Sequence, residues 1–518
     1  MAAAGCGAPE VDGPSSAIHI SRLFLDGVYA TKVQPWLALA AAGMRALRAG
    51  KAPPRVPTVV VSQEEMAPFA RGVVWDTRDP DACVPVAHSS HDTAFAGDRQ
   101  ICRDTVRTAA SSLAWHDDDI VSQVGEGGVE ARSGCDLITV LAFHHQGLYD
   151  HVATVDSIVR EELGEEWLEA PRAELPFVPA RVLPRNVVLQ PRSRLLPDGT
   201  LEHYLKPRIT TDASDGAEAS VNAGVPHAER TVELPSVQRL GRACAVVDGA
   251  GLDPGEVDFP GKTRPRAGAY AVDLEKAFRF LPLQTADLWT QVFLWDDESG
   301  RVGYMVDTRL CFGGAYAVNR FQRTTLLLAA AACAEIDRLD ACCPLPPVAQ
   351  RWCSGRRAAQ VSGSLPGGAA QVQPKHLQPY VDDLTGSALD DPISPPPSYR
   401  PTLPLPPGHS ASWATLSAIA LPTSLEEGCA SAPTSRVAYH CRLVIRTAVA
   451  FGFTASAPKT QCGDVITALG ILVDIPQRQL RCPRGKRDVL VAACQEQLSL
   501  LASGGPVERA VASTLTAR

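Results

Sequence analysis

Residues Ala269 to Leu274 read AYAVDL, an apolar run that predicts a buried strand with an acid, Asp273, at its end. Residues Leu377–Val381 and Leu384–Leu389 flank Asp382 and Asp383, the pattern of a β-hairpin with two carboxylates at its turn. Adjacent acids repel each other and are tolerated best where water or cations screen them. If the hairpin packs beside the Ala269 strand, Asp273 and Asp382 converge. Three carboxylates around one point have the chemistry for two hard divalent cations, because Mg²⁺ prefers oxygen ligands and keeps water or phosphate in its remaining positions. Two such ions activate an attacking hydroxyl and neutralise a leaving phosphate. The plainer readings are a helix cap after a strand for Asp273 and an ordinary turn for Asp382–Asp383.

Two further clusters carry metal-ligand residue types: His88, His91 and Asp92, and His116 with Asp117, Asp118 and Asp119. Both lie in Ser/Asp-rich text with nothing to fix their geometry, so a solvated loop is expected over a nuclease site. His144, His145 and His151, near a predicted helix start, are weaker still.

The elements that must position the acids sit in a chain of 518 residues with 49 Lys plus Arg, 57 Asp plus Glu and a net charge of −8. At about 150 residues per domain the length suffices for three or four folded units. The composition excludes collagen, coiled coil and a wholly disordered chain. The 42 prolines signal long extended connections. Fifteen cysteines without a C-x-x-C pair or zinc spacing predict free thiols in a reducing compartment. The longest apolar run, Thr324 to Ala334, is too short to span a bilayer. The start of the chain has no secretory pattern, so an intracellular address, cytoplasmic or nuclear, is expected. Charge is uneven: residues 111–170 hold 13 acids and 2 bases, whereas 178–209 and 475–518 are net basic. Local basic patches, more than net charge, decide phosphate binding.

Asp150 to Leu168 predicts a helix, and so does the segment from Tyr316, whose Val318, Phe321, Leu328, Ala332, Ile336 and Leu339 form a core stripe. Residues 171–200 read as extended, Arg351 to Gln373 as a Gly/Ser/Gln loop, and Asp391 to Gly408 as polyproline-like or disordered.

Tyr380-Val381-Asp382-Asp383 resembles the YxDD catalytic hairpin of reverse transcriptases. Other segments resemble the same family in the same order. They are VDLEKAFRFLPL (Val272 to Leu283), LCFGGAYAVNRFQR (Leu310 to Arg323), GFTASAPKTQ (Gly452 to Gln461) and ALGILVD (Ala468 to Asp474). Upstream, KPRITTDAS (Lys206 to Ser214) and SVNAGV (Ser220 to Val225) resemble its fingers segment. The resemblance is closest to the retrotransposon type and covers about residues 175–490.

The resemblance implies an α+β right-hand polymerase: a palm of antiparallel sheet backed by helices, with fingers, and a separate mixed amino-terminal region. Its boundaries would be 1–170 for the amino-terminal region, 171–265 for fingers, 266–474 for palm with a Pro-rich insertion at about 388–434, and 475–518 for a truncated thumb. By the same resemblance Asp273, Asp382 and Asp383, with the backbone carbonyl of Leu274, hold two Mg²⁺ ions, Mn²⁺ being the alternative. Lys206 and Arg208 hold the incoming triphosphate, and Phe278 is the steric gate against a 2′-hydroxyl. Phe312, Gly313, Gly314 and Tyr380 line the nucleotide pocket. Lys459 protonates the departing pyrophosphate, and Leu469 and Gly470 form the primer grip. The implied activity is RNA-directed DNA synthesis from a primer 3′-hydroxyl, with deoxynucleoside triphosphates and an RNA or DNA template–primer as partners and no membrane.

The chain departs from the family at Cys311 and Val318, where proline is common. It also departs in the 75 residues between Asp383 and Lys459, about twice the usual connection, best accommodated as a surface loop. It ends about 45 residues after Leu472, which leaves a stub of thumb and no ribonuclease H domain. The competing expectation is a catalytically inactive retroelement remnant that binds nucleic acid or a partner.

Overall fold

A computed structural model describes residues 25–62, 101–195, 201–250, 266–351, 375–406 and 435–484, apart from a few positions within those ranges. The architecture is mixed α+β. Strands β1 (Val59–Val61), β2 (Thr139–Leu141), β3 (Arg181–Val182), β7 (Val292–Asp296) and β8 (Val302–Val306) form one sheet in that order. Strands β4 (Arg185–Leu195) and β5 (Leu201–Thr211) form a long antiparallel ribbon. Among the described residues each of these strands pairs with the other alone, an edge position in which Pro207 is tolerated.

The sheet that carries the acids has the order β11-β6-β10-β9, all antiparallel. Its strands are β6 (Ala267–Asp273), β9 (Lys375–Tyr380), β10 (Asp383–Leu389) and β11 (Gln461–Gly463). Every residue of β6 before Asp273 is buried. Side chains alternate along a strand, so Ala267, Ala269 and Ala271 face one core and Tyr270 and Val272 the other. The first core holds Leu240, Cys244 and Val247 of helix α5 (Val237–Ala250), with Ile466, Ala468 and Val473 of the small sheet β12 (Val465–Ala468), β13 (Ile471–Asp474) and β14 (Gln479–Arg481). The second holds helices α6 (Ala317–Cys342) and α7 (Arg436–Ala450). Tyr270 can lie across the sheet because its partner is Gly386, where a Cβ would come within 2.3 Å of the tyrosine ring.

The core stripe expected on α6 is buried at Phe321, Leu328, Ala332, Ile336 and Leu339. Helix α4 is shorter than Asp150 to Leu168, spanning Val152–Gly164. Its continuation is broken where Glu166 takes a left-handed φ of 56°. Helices α1 (Gln34–Arg48), α2 (Arg103–Leu113) and α3 (Asp118–Ser122) complete the amino-terminal part.

Two expectations are corrected. The amino-terminal region is not separate: β1 and β2 join the sheet of β7 and β8, and residues from Tyr29 onward share one core with Phe453. Polar ties reinforce the union. Arg48 of α1 binds Asp156 at 2.9 Å and also Asp296, and Arg323 of α6 binds Asp119 at 2.7 Å and also Asp117. The described half of the Pro-rich stretch is not a free surface loop. Ile393 and Leu403 are buried, Thr402 N donates to Glu335 Oε1 at 2.8 Å, and Arg446 Nη1 donates to Leu403 O at 2.9 Å. Backbone groups of a segment poor in amides thus find side-chain partners on α6 and α7. The insertion leaves and returns at one place, where Pro392 bridges Ser435 and Asp391 pairs with Arg436 at 2.8 Å. Residues 407–434, most of the Arg351–Gln373 loop, His88, His91, Asp92 and most of the expected thumb lie outside the described residues.

Candidate active site

The two-residue turn Val381–Asp382 joins β9 to β10. Register places Asp383 directly opposite Asp273 on the neighbouring strand. Just past β6, Leu274 bridges Ala455: Glu275 N donates to Thr454 O at 2.8 Å and Ser456 N to Asp273 O at 2.8 Å. That alternation turns the Leu274 amide and carbonyl towards the hairpin, and its amide donates to Asp382 O at 3.0 Å. Asp273, Leu274, Asp382 and Asp383 are therefore neighbours.

Lys459 joins them from the turn after α7. Its Nζ donates to both carboxylate oxygens of Asp273, at 2.8 and 2.7 Å. Burial pushes the Asp382 carboxyl above the usual carboxylate range; Asp273 adds to that rise, whereas Lys459 and Arg208 oppose it. All the donors here are oxygens, the set a hard divalent ion takes. Yet among the described residues no three His, Cys, Asp or Glu side chains are arranged as a ready metal cage. The cation on Asp273 is a lysine.

Five residues after Asp273 in sequence begins an aromatic stack. Phe278 sits in a short 3₁₀ turn, Ala277–Phe280. It is 3 % exposed, with its ring 4.7 Å from both Phe312 and Phe321. Phe312 is 41 % exposed, and the Arg208 guanidinium lies 5.8 Å over its ring. Arg208 also donates to Gln190 at 3.4 Å; Lys206 is on the same strand, half-buried.

Gly313 has φ +122°, and a Cβ there would lie 1.8 Å from Thr211 O. The backbone of the β4–β5 ribbon and the Phe312–Gly314 loop touch, with Thr211 N donating to Phe312 O at 3.0 Å. Asn222, in the SVNAGV segment, pins that loop: Nδ2 donates to Gly313 O at 2.8 Å, and Oδ1 accepts from Ala315 N at 2.7 Å. Gly314 packs against the Tyr316 ring. Tyr380 ends β9, half-buried, opposite Asp383. Leu469 and Gly470 form the left-handed turn between β12 and β13, with φ of 50° and 75°. They lie on the small sheet.

Sequence reasoning gave no role to Gln322. This side chain, 2 % exposed on α6, grips the hairpin. Its Nε2 donates to Pro379 O at 3.1 Å, and its Oε1 accepts from Val381 N at 2.7 Å. Val381, β-branched, has a left-handed φ of 55°, which costs about 1–2 kcal/mol and persists only when its surroundings enforce it. The available signal was a polar amide next to Phe321 in the LCFGGAYAVNRFQR segment.

Cys311, at one departure from proline, is buried with its thiol donating to Gln291 Oε1 at 3.1 Å. Val318, at the other, packs against the core. Asp117 caps α3 by accepting from Ile120 N at 3.3 Å and, with Asp119, binds Arg323. The His116 cluster is thus a structural clamp.

No protein-family model matches the chain, and no curated protein matches it. Among solved structures it is similar to a foamy viral protease–reverse transcriptase in complex with double-stranded DNA. Identity is 13 % and the TM-score 0.36, over 77 % of this chain and 48 % of that one. The foamy viral protein in complex with an RNA/DNA hybrid gives 13 % and 0.34, over 80 % and 39 %. The native prototype foamy virus protein gives 13 % and 0.30, over 73 % and 34 %. The chain spans about half or less of the length of these solved chains. At TM-scores of this size the likeness assigns neither a family nor an activity. Among the described residues no helix is long and apolar enough to cross a membrane.

Proposed function

We propose that the protein extends a nucleic-acid primer by template-directed nucleotidyl transfer, as an RNA-directed DNA polymerase of retrotransposon type. The observation that carries the proposal is the meeting of Asp273 with the hairpin acids Asp382 and Asp383 on adjacent strands, with Lys459 on the same carboxylate. Residues more than 100 positions apart in sequence supply the parts of one phosphoryl-transfer site.

In this reading the primer 3′-oxygen attacks the α-phosphorus of a deoxynucleoside triphosphate. A phosphodiester bond forms, and the bond to the bridging oxygen of the β-phosphate breaks, releasing pyrophosphate. Asp273, Asp382, Asp383 and the Leu274 carbonyl would hold two Mg²⁺ ions, which when bound activate the hydroxyl and neutralise the leaving group. Arg208 and Lys206 hold the triphosphate, Arg208 as a planar fork and Lys206 as a point charge. Phe278, locked between Phe312 and Phe321, is a rigid floor that leaves no room for a 2′-hydroxyl. Gly313 and Gly314 let the backbone approach the nascent pair, and Tyr380 borders it. Lys459 donates a proton to the departing pyrophosphate. Leu469 and Gly470 seat the primer end. Residues 171–265 act as fingers and 266–474 as palm. Most of the work is positioning and charge neutralisation.

The test is a labelled primer on an RNA template with deoxynucleotides and Mg²⁺. Extension by the full chain, abolished in Asp382→Ala with folding intact, is the expected result. Wild-type-like extension by Asp382→Ala refutes the site. A mobility shift without extension by the unaltered chain replaces the proposal with a binding protein.

A further inference from the structure

We propose that Asp307 is a positioning residue for the nucleotide pocket: its buried carboxylate fixes the spacing of the Phe278 and Phe312 rings and so sets the discrimination between deoxyribonucleotides and ribonucleotides. The inference rests on the polymerase reading with Phe278 as its gate, and adds the group that holds the gate in place.

The Asp307 residue is 2 % exposed and gathers donors from separate segments. Arg185 Nη2 donates to Oδ2 at 2.8 Å. Arg279 Nη1 donates to Oδ1 and Oδ2 at 2.7 and 2.9 Å, and Arg309 N donates to Oδ1 at 3.1 Å. Two of these partners lead to the two rings. Arg279 follows Phe278 in the Ala277–Phe280 turn. Arg185 begins β4, where it stands opposite Thr211, and Thr211 N donates to Phe312 O at 3.0 Å. One carboxylate therefore ties together the backbones that carry Phe278 and Phe312, whose rings are 4.7 Å apart. Asp307 is itself held on a paired backbone just past β8. Its amide donates to Gln291 O at 2.9 Å, and nearby Leu310 N donates to Leu281 O at 2.9 Å.

The surrounding charges explain why a carboxylate stands there. Arg185, Arg279 and Arg309 are all buried. A second acid, Glu162, lies 3.0 Å from Arg279 Nε. Burial, and then the Arg279 charge, hold the Arg309 guanidinium well below its usual range, at about 10, whereas Asp307 opposes that fall. Loss of the Asp307 charge would leave Arg185 and Arg279 to repel each other, and the ribbon and the Phe278 turn would move apart. Stability alone does not call for such a cluster, because apolar residues of similar volume often serve as well or better. What the ionised groups add is direction, through charge-assisted hydrogen bonds of defined geometry.

The experiment is single-nucleotide primer extension by the full chain. It reads the ratio of kcat/KM for a deoxyribonucleotide to that for the matching ribonucleotide. Phe278→Ala, expected to lose most of that ratio, calibrates the gate. Asp307→Asn keeps the volume and removes the charge. It should lower the ratio about tenfold, because a misplacement of about 1 Å can cost about 100-fold in rate. Added to Phe278→Ala it should lower the ratio no further, since it acts through that ring. Arg279→Lys keeps the charge and loses the planar fork. It should lower the ratio in the same direction, and it carries the comparison if Asp307→Asn does not fold. An equal loss on both nucleotides in either variant, or losses that multiply in the double variant, makes Asp307 a structural residue only and leaves the gate standing. An unchanged ratio in Phe278→Ala removes the gate, and no extension by the unaltered chain removes the polymerase reading; in both cases the inference falls as well.

Discussion

Replacing Gln322 by methionine removes two hydrogen bonds from the hairpin and almost no volume. The side chain is 2 % exposed, and it serves Pro379 O at 3.1 Å and Val381 N at 2.7 Å. The buried Pro379 O left without a partner costs about 1–3 kcal/mol and the part-buried Val381 N about 1 kcal/mol, so the expected destabilisation is about 2–4 kcal/mol. Against a typical domain stability of about 5–15 kcal/mol, the variant remains folded at 25 °C. Function should suffer more than stability. The turn carries Val381 at φ 55°, a conformation valine leaves when it can. Relaxation of that residue moves the adjacent Asp382, and a displacement of about 1 Å can cost about 100-fold in rate. The assays are urea unfolding and single-turnover primer extension, done as a double-mutant cycle with Val381→Gly. Glycine accepts a left-handed φ without a Cβ penalty, so the loss caused by Gln322→Met should shrink by about 1 kcal/mol in the Val381→Gly background. Additivity within about 0.5 kcal/mol, or full extension by a Gln322→Met protein that is measurably destabilised, would refute the argument that this amide enforces the turn.

Two other outcomes follow from local geometry. Gly313→Ala places a methyl group 1.8 Å from Thr211 O at a φ of +122°; backbone strain and overpacking should cost about 3 kcal/mol or more in urea unfolding, and a loss below about 1 kcal/mol would mean the ribbon and loop can part. His144 is buried and neutral, with Nδ1 accepting from Arg185 N at 2.9 Å and Nε2 facing Leu294 O. Burial first, and then the Arg185 charge, lower its pKa from 6.5 to about 4. The unfolded chain therefore binds a proton that the folded chain refuses between those values. The stability contribution is fully present above pH 6.5 and falls by about 3 kcal/mol as the pH drops towards 4. His144→Gln should flatten that part of the unfolding free energy plotted against pH, and an unchanged slope would contradict a neutral buried ring.

The parts of the fold that are visible in sequence are those written in short periods. Helix α6 buries its stripe because Phe321, Leu328, Ala332, Ile336 and Leu339 recur at helical spacing. Strand β6 and the Asp382 hairpin follow from apolar runs that end on acids. What sequence hides is non-local. Strands β1, β2 and β3 are two or three residues long and carry no period, yet they bind the amino-terminal part to β7 and β8. The Pro-rich stretch reads as free because prolines lack amides, and its anchoring depends on distant Glu335, Arg436 and Arg446. Of the candidate site, the acids, Lys459 and the aromatic residues could be named from their segments. The grip of Gln322 on the turn could not, since a buried amide declares no partner until the partner is adjacent.

The charge arrangement around Asp382 shows why such distant segments must fold together. Burial and Asp273 both favour the neutral carboxyl, and the opposing cations come from outside the sheet: Lys459 from the turn after α7, Arg208 from the β4–β5 ribbon. Neither cation is held by the acids alone. Arg208 lies over Phe312, whose ring meets Phe278 at 4.7 Å, and Phe278 in turn rests on Phe321 of the helix that supplies Gln322. The stack ties the ribbon to the same helix that clamps the hairpin. A shift of the ribbon that drew Arg208 away would weaken the field on Asp382 and uncover Phe312 at once. An anionic ligand bound by Arg208 would therefore change both the carboxylate and the aromatic wall.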